Sequence, residues 1–183
     1  MPSTYDINFS QIVPRGGSQR DAFEELCCQL AHKINAENGT FVRLCGAGGD
    51  GGVECFLDLS ERSRVGWQAK YVFDIKKLLT QATESLNTAL KIHPSLTRYI
   101  VCFPFDLTGP TGRKGVSSKE KFDDWKDNQE KIAQEDGRDF NIEAWPAFRI
   151  RELLLEFDAS GGIREFFFNQ QILTNDWFSR HLE

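Results

Sequence analysis

The first long periodic stretch covers about residues 19–35, where Phe23, Leu26, Cys27, Leu30 and Ile34 recur at three- and four-residue intervals. That spacing lines one face of a helix, and Ser18-Gln-Arg-Asp21 supplies a capping-box-like start. Asn38-Gly39 ends the segment, and Thr40 to Cys45 reads as a strand. Val53 to Leu59 and Val65 to Phe73 then alternate apolar and polar residues, which predicts a hairpin around Ser60 to Arg64. Asp74 is placed to cap a second helix that runs to about Ile92, with Ile75, Leu78, Leu79, Ala82, Leu86 and Leu90 at helical spacing. Pro94 stops it. Arg98 to Phe105 predicts a buried strand, residues 106–117 a Gly/Pro-rich loop, and Ser118 to about Gln134 a charged helix. Phe140 to Trp145 predicts a further strand and Phe148 to Phe157 a helix. The order α-β-β-β-α-β-(α)-β-α predicts an α/β fold, a mixed sheet with helices on both faces. Ser160-Gly-Gly162 predicts a boundary: residues 1–159 form one domain, and 160–183 an aromatic tail or linker toward a further region.

Composition narrows the classes. Of 183 residues, 40% are apolar and 12% aromatic, enough for a single well-packed core. The net charge of -5 rules out a surface that attracts polyanions everywhere, so any nucleic-acid contact must come from local basic patches or from assembly. No apolar run reaches the roughly 20 residues of a membrane span. The opening MPSTYDINFS lacks the basic-then-apolar pattern of a secretory leader, which points to a cytoplasmic chain. Five cysteines, Cys27, Cys28, Cys45, Cys55 and Cys102, sit in apolar surroundings without a CxxC pair and read as buried thiols.

The chemistry concentrates around residues 46–71. Gly46-Ala-Gly48-Gly-Asp-Gly51 matches GxGxxG, but a strand follows it, whereas a dinucleotide fingerprint needs a helix there for the pyrophosphate. The loop reads instead as a turn that brings backbone close to a neighbour. Along the two strands, Glu54, Phe56 and Asp58 share one face, and Gly66, Gln68 and Lys70 share the matching face. A hairpin centred near Arg62 puts Glu54 opposite Lys70, so Glu54, Gln68 and Lys70 converge at its open end. Asp58 lies roughly 13 Å away, as a solvated charge near the turn. A carboxylate and an amide oxygen are hard ligands for Mg²⁺, and a lysine beside them stabilises charge developing on a phosphate. Glu24, at the edge of the first helix's buried stripe, is a further ligand candidate, while Glu25 points to solvent. The same residues also fit a plain cross-strand Glu–Lys pair beside a neutral glutamine, and spacing alone leaves both readings open.

These residues resemble a known set. Phe23-Glu24 on the first helix, Gly49-Asp-Gly-Gly-Val-Glu54 entering a strand and Gln68-Ala-Lys70-Tyr71 on the next are similar to the Mrr-like branch of the PD-(D/E)xK restriction endonucleases. The resemblance covers about residues 18–105. It implies a restriction-endonuclease-like αβββαβ core and Mg²⁺-dependent cleavage of double-stranded DNA, with Mn²⁺ able to substitute. It assigns Glu54, Gln68 and Lys70 as catalytic residues, and Glu54, Gln68, Glu24 and Asp50 as metal ligands. The family's metal-binding aspartate is replaced here by Glu54, one methylene longer, with Asp50 as the reserve ligand. The aromatic tail and charged insertion resemble the N-terminal nuclease domains of Avs-like antiviral STAND NTPases, which implies an effector activated by oligomerisation, a homo-oligomer within a larger protein.

Lys76, Lys77, Arg113 and Lys114 are the candidate DNA-binding residues, with Lys119, Lys121, Arg62 and Arg64 as further members of a phosphate-tracking rim. No recognition helix or zinc finger is present in the pattern, so no sequence-specific reading is expected. The alternative function is a catalytically silent domain of the same fold, serving nucleic-acid binding or assembly.

Overall fold

A computed structural model describes residues 7–35, 37–44, 51–110, 115–170 and 179. Its elements are α1 (Gln19–Asn35), β1 (Thr40–Arg43), β2 (Cys55–Ser60), β3 (Ser63–Ala69), α2 (Ile75–Ile92), β4 (Leu96–Cys102), α3 (Ser118–Glu135), β5 (Asn141–Trp145), α4 (Ala147–Phe157) and α5 (Gly162–Phe168). The chain is an α/β protein, and its first six elements follow the αβββαβ order that the resemblance implies. One sheet runs β1-β2-β3-β4-β5, antiparallel from β1 to β3 and parallel from β3 to β5. Among the described residues, no helix is long and apolar enough to cross a membrane.

Two crossovers, through α2 and α3, carry the chain from β3 to β4 and on to β5. Successive crossovers of one hand that advance in one direction place their helices on the same face of a sheet. Accordingly Leu78, Ala82 and Leu86 of α2 and Phe122 of α3 pack with Phe56, Tyr99, Val101 and Ile142. The other face carries α1, α4 and α5, where Phe23, Leu26, Leu30, Ile150, Leu153 and Phe167 cover Leu57, Trp67, Ile100 and Trp145. The Ser18 hydroxyl accepts from the Asp21 N–H (3.0 Å) and the Asp74 carboxylate from the Lys77 N–H (2.9 Å), so α1 and α2 begin where their caps place them.

The β2–β3 turn is tighter than the sequence pattern predicts. Ser60 pairs with Ser63, which leaves Glu61 and Arg62 as the turn, and a bulge follows at Asp58/Ser60. Cys55 therefore faces Trp67, and by continuation Glu54 faces Gln68 rather than Lys70. A two-residue shift changes partners but keeps every side chain on its face. Asp58 is not a lone solvated charge. It lies opposite Arg64 and takes a bidentate pair from the guanidinium, Nε at 2.6 Å and Nη2 at 2.9 Å. Arg64 also stacks on the Phe56 ring at 3.6 Å, so it belongs to the hairpin and not to a free basic rim. Glu25 pairs with Arg43 of β1 instead of facing open solvent.

Beyond Ser160, α5 packs on α1, with Phe167 fully buried. Asp158 accepts the Ile163 and Arg164 N–H groups at 3.0 and 2.9 Å and pairs with the buried Arg164 guanidinium. The packed body thus continues to Phe168.

The approach to β2 is set by two glycines. Gly52 has φ +81°, and a Cβ there would stand 2.1 Å from the Ser85 carbonyl oxygen of α2. A Cβ on Gly66 would meet Val53 at 2.7 Å, so Val53 lies over Gly66 on the α2 side, not on the α1 side with Cys55 and Leu57. Gly52→Ala adds left-handed strain and a backbone clash together, for an expected loss of at least about 2 kcal/mol. Urea unfolding checks this, and a variant as stable as wild type would remove the close approach from the account.

Candidate functional site

Glu54 sits where three strands meet. Its carbonyl accepts from the Leu44 N–H at 2.9 Å and its own N–H donates to the Trp67 carbonyl at 2.7 Å. Both backbone groups are therefore committed, one toward β1 and one toward β3, which fixes the direction of the side chain. Glu54 is 8% exposed, and its carboxylate accepts a short hydrogen bond from Gln68 Nε2. Gln68 is fully buried in the central strand, paired at its backbone with Val101. Its amide oxygen has no hydrogen-bond partner among the described residues. An orphaned buried carbonyl is costly unless something electropositive completes it.

Lys70 follows directly after β3. Its N–H bonds to the Cys102 carbonyl at 2.9 Å and its carbonyl accepts from Val72 at 2.9 Å, so the chain turns away from the sheet at this residue. The turn opens a cleft of about 340 Å³ lined by Lys70, Tyr71 and Val72, by Arg20 of α1, and by Gln81, Glu84 and Ser85 of α2. The cleft lies beyond the carboxyl end of a parallel strand, the usual position for a site in an open α/β sheet.

Glu24 is half-buried on α1, and Arg20 Nε donates to its Oε1 at 2.7 Å. The carboxylate of Glu24, first by that hydrogen bond, and the more distant charges of Glu54 and Asp21 push the Arg20 pKa up. Glu24, Glu54 and Arg20 thus share one electrostatic neighbourhood. Lys76 and Lys77 are exposed in the first turn of α2. Lys77 lies one turn from Gln81 on the same side of the helix. Asp50, Arg113 and Lys114 lie outside the described residues. Among the described residues, no group of three His, Cys, Asp or Glu side chains gathers to hold a metal. The donors present are two carboxylates, Glu54 and Glu24, and one amide oxygen, Gln68. These are hard oxygens of the type Mg²⁺ takes, and the unsatisfied Gln68 oxygen fits a cation beside it.

Four buried free thiols lie behind this site. Contact with Cys55, together with burial, pushes the Cys28 pKa far up, and burial does the same for Cys27 and Cys102. Cys27, Cys28 and Cys102 are thereby kept as protonated packing groups, not nucleophiles. Cys45 lies outside the described residues.

Sequence reasoning missed Arg20, Gln81, Glu84 and Ser85. The α2 residues had a signal, since 81, 84 and 85 follow i, i+3, i+4 spacing on the polar flank of the apolar stripe. Compared with known proteins, the chain matches no family model and no curated protein.

The turn that delivers Glu54 leans on His93. A Cβ on Gly51 would lie 3.0 Å from His93 Nε2, and Arg64 Nη1 is 2.7 Å from His93 Nδ1. Arginine only donates, so Nδ1 is the unprotonated acceptor. Burial first, and the Arg64 charge second, lower the His93 pKa, with Asp58 opposing. The unfolded chain then binds the proton more readily, so stability is complete above the unfolded value near 6.5 and is lost as pH falls toward the folded one. Unfolding free energy measured from pH 7 to pH 5 is expected to fall more steeply in wild type than in His93→Gln. Parallel profiles would assign the acid sensitivity to other groups.

Proposed function

We propose that the chain is a Mg²⁺-dependent endonuclease domain of the PD-(D/E)xK type that cuts double-stranded DNA. The observation that carries this reading is the buried Glu54–Gln68 pair, whose Gln68 amide oxygen has no hydrogen-bond partner among the described residues, two residues before Lys70, which lines the cleft. Glu54 and Gln68 would hold the metal, with Glu24 as a further carboxylate donor. When bound, the ion supplies Lewis-acid activation of the phosphoryl group and a more acidic water. Gln68 orients Glu54 through its amide. Lys70, fixed at the strand end by its backbone, presents an ammonium to the charge that develops on phosphate. Lys76 and Lys77 are placed to take neighbouring phosphates, with Arg113 and Lys114 as further candidates.

In the cell, the reading extends to a cytoplasmic effector of bacterial antiviral defence, part of a larger protein and active as a homo-oligomer. The acidic net charge supports that extension, since a single copy has little general attraction for DNA. A second reading, a silent module for nucleic-acid binding or assembly, is favoured by Glu84, a carboxylate on the wall where phosphate must enter.

Plasmid nicking with Mg²⁺ or Mn²⁺ separates the two. Wild type, fused to a tetramerising tag, is expected to cleave only with metal. Lys70→Ala is expected to lose at least about 100-fold in rate, the scale of removing one preorganised electrostatic group, with unchanged thermal stability. Metal-independent or absent cleavage by the tethered wild type would favour the silent module.

A further inference from the structure

Cations already stand among the carboxylates of the site before any divalent ion enters. Arg20 and Lys70 face the cleft, and Glu24 and Glu54 stand in the same neighbourhood. Arg20 is hydrogen-bonded to Glu24, one of the proposed ligands, at 2.7 Å, while its side chain is 69% exposed. An exposed arginine with an i,i+4 carboxylate forms a weak pair, which a stronger cation opens readily. Glu24 is only 17% exposed, so the competition takes place at the mouth of the site and not in open solvent.

Resting on the proposed metal site, we infer that Arg20 is its resident counter-cation: it neutralises Glu24 in the metal-free protein, and a divalent ion must displace it to bind. Arg20 then sets the metal concentration at which the site fills. A guanidinium is suited to this role because it holds a carboxylate directionally, stays charged at all physiological pH and swings on a long stem.

The test is calorimetric titration of Mn²⁺ into wild type, Arg20→Gln, Glu54→Gln and Lys33→Gln, with no DNA present. Lys33 is exposed on the same helix, about 20 Å along its axis from Arg20, and controls for net charge alone. Arg20→Gln is expected to bind Mn²⁺ about three- to tenfold more tightly than wild type, the sum of a lost weak pair and a removed nearby positive charge. Lys33→Gln is expected to match wild type within about twofold, because a charge that far away is screened. Glu54→Gln is expected to bind no Mn²⁺, which assigns the heat to this site. If wild type binds and Arg20→Gln binds no more tightly, or Lys33→Gln tightens equally, the counter-cation role is overturned while the metal site stands. If neither wild type nor Arg20→Gln binds Mn²⁺, the metal site itself falls and the inference with it.

Discussion

Asp58 and Arg64 face each other across the β2–β3 hairpin, and their ion pair decides which residues meet at its open end. The pair is bidentate, half-shielded, and backed by the Phe56 ring under the guanidinium. Such geometry is directional in a way a lone Lys–Glu contact is not. A slip of one residue would turn Glu54 and Gln68 to opposite faces. A slip of two would carry Glu54 roughly 7 Å along the neighbouring strand and part it from Gln68. The contact between carboxylate and amide is therefore set at the far end of the hairpin, by a salt bridge that takes no part in the site.

Register alone does not place Glu54, because it precedes the first residue of β2. Its position comes from close approach. Gly52 lies against the α2 backbone, Tyr99 donates to the Gly52 carbonyl at 3.0 Å, and Val53 fills the space over Gly66. The glycines matter for the side chain they lack, and the turn they form is pressed onto helix and sheet together. Glu54 then enters between β1 and β3 with both backbone groups hydrogen-bonded. A rigid backbone under a buried carboxylate is what a site needs if its geometry is to survive the loss or gain of a charge nearby.

Most of the fold was legible because its helices carry strong apolar stripes and standard caps. Asp74 marks the start of α2, and the spacing from Phe23 to Ile34 marks α1, within a residue or so. The mixed sheet with helices on both faces followed from the order of helices and strands. The hairpin register was not legible, since Ser60 to Arg64 offers several turn placements and the deciding Asp58–Arg64 pair is a three-dimensional choice. The start of α4 is another such case. Pro146 offers no side-chain cap, and Asp106, 42 residues away in sequence, supplies one by accepting the Phe148 N–H at 2.6 Å. α5 escaped for a related reason, because Ser160-Gly-Gly162 looks like a break until Asp158 is seen to cap the helix and hold Arg164. In the candidate site, Glu54, Gln68 and Lys70 could be gathered from strand alternation. Arg20 could not, because its importance lies in which carboxylate it occupies.

The electrostatics of the cleft fit the proposed division between a quiet monomer and an active assembly. Lys76 and Lys77 sit in the first turn of α2, where the helix dipole disfavours cations by about 0.3–1 kcal/mol each. Their placement costs the helix a little stability, which the Asp74 cap offsets, and it sets two exposed lysines beside the helix's own positive end. Against them stand Glu84 on the cleft wall and a net charge of -5. Affinity for DNA grows steeply with the number of phosphates neutralised, so one such rim on an acidic body binds weakly at physiological salt. Several copies held together multiply the rims on one duplex, and the second contact then forms at a high effective concentration without any new side chain. In the proposed function, assembly has no need to reshape the site at Glu54, Gln68 and Lys70. It has only to raise the time that DNA spends in front of it.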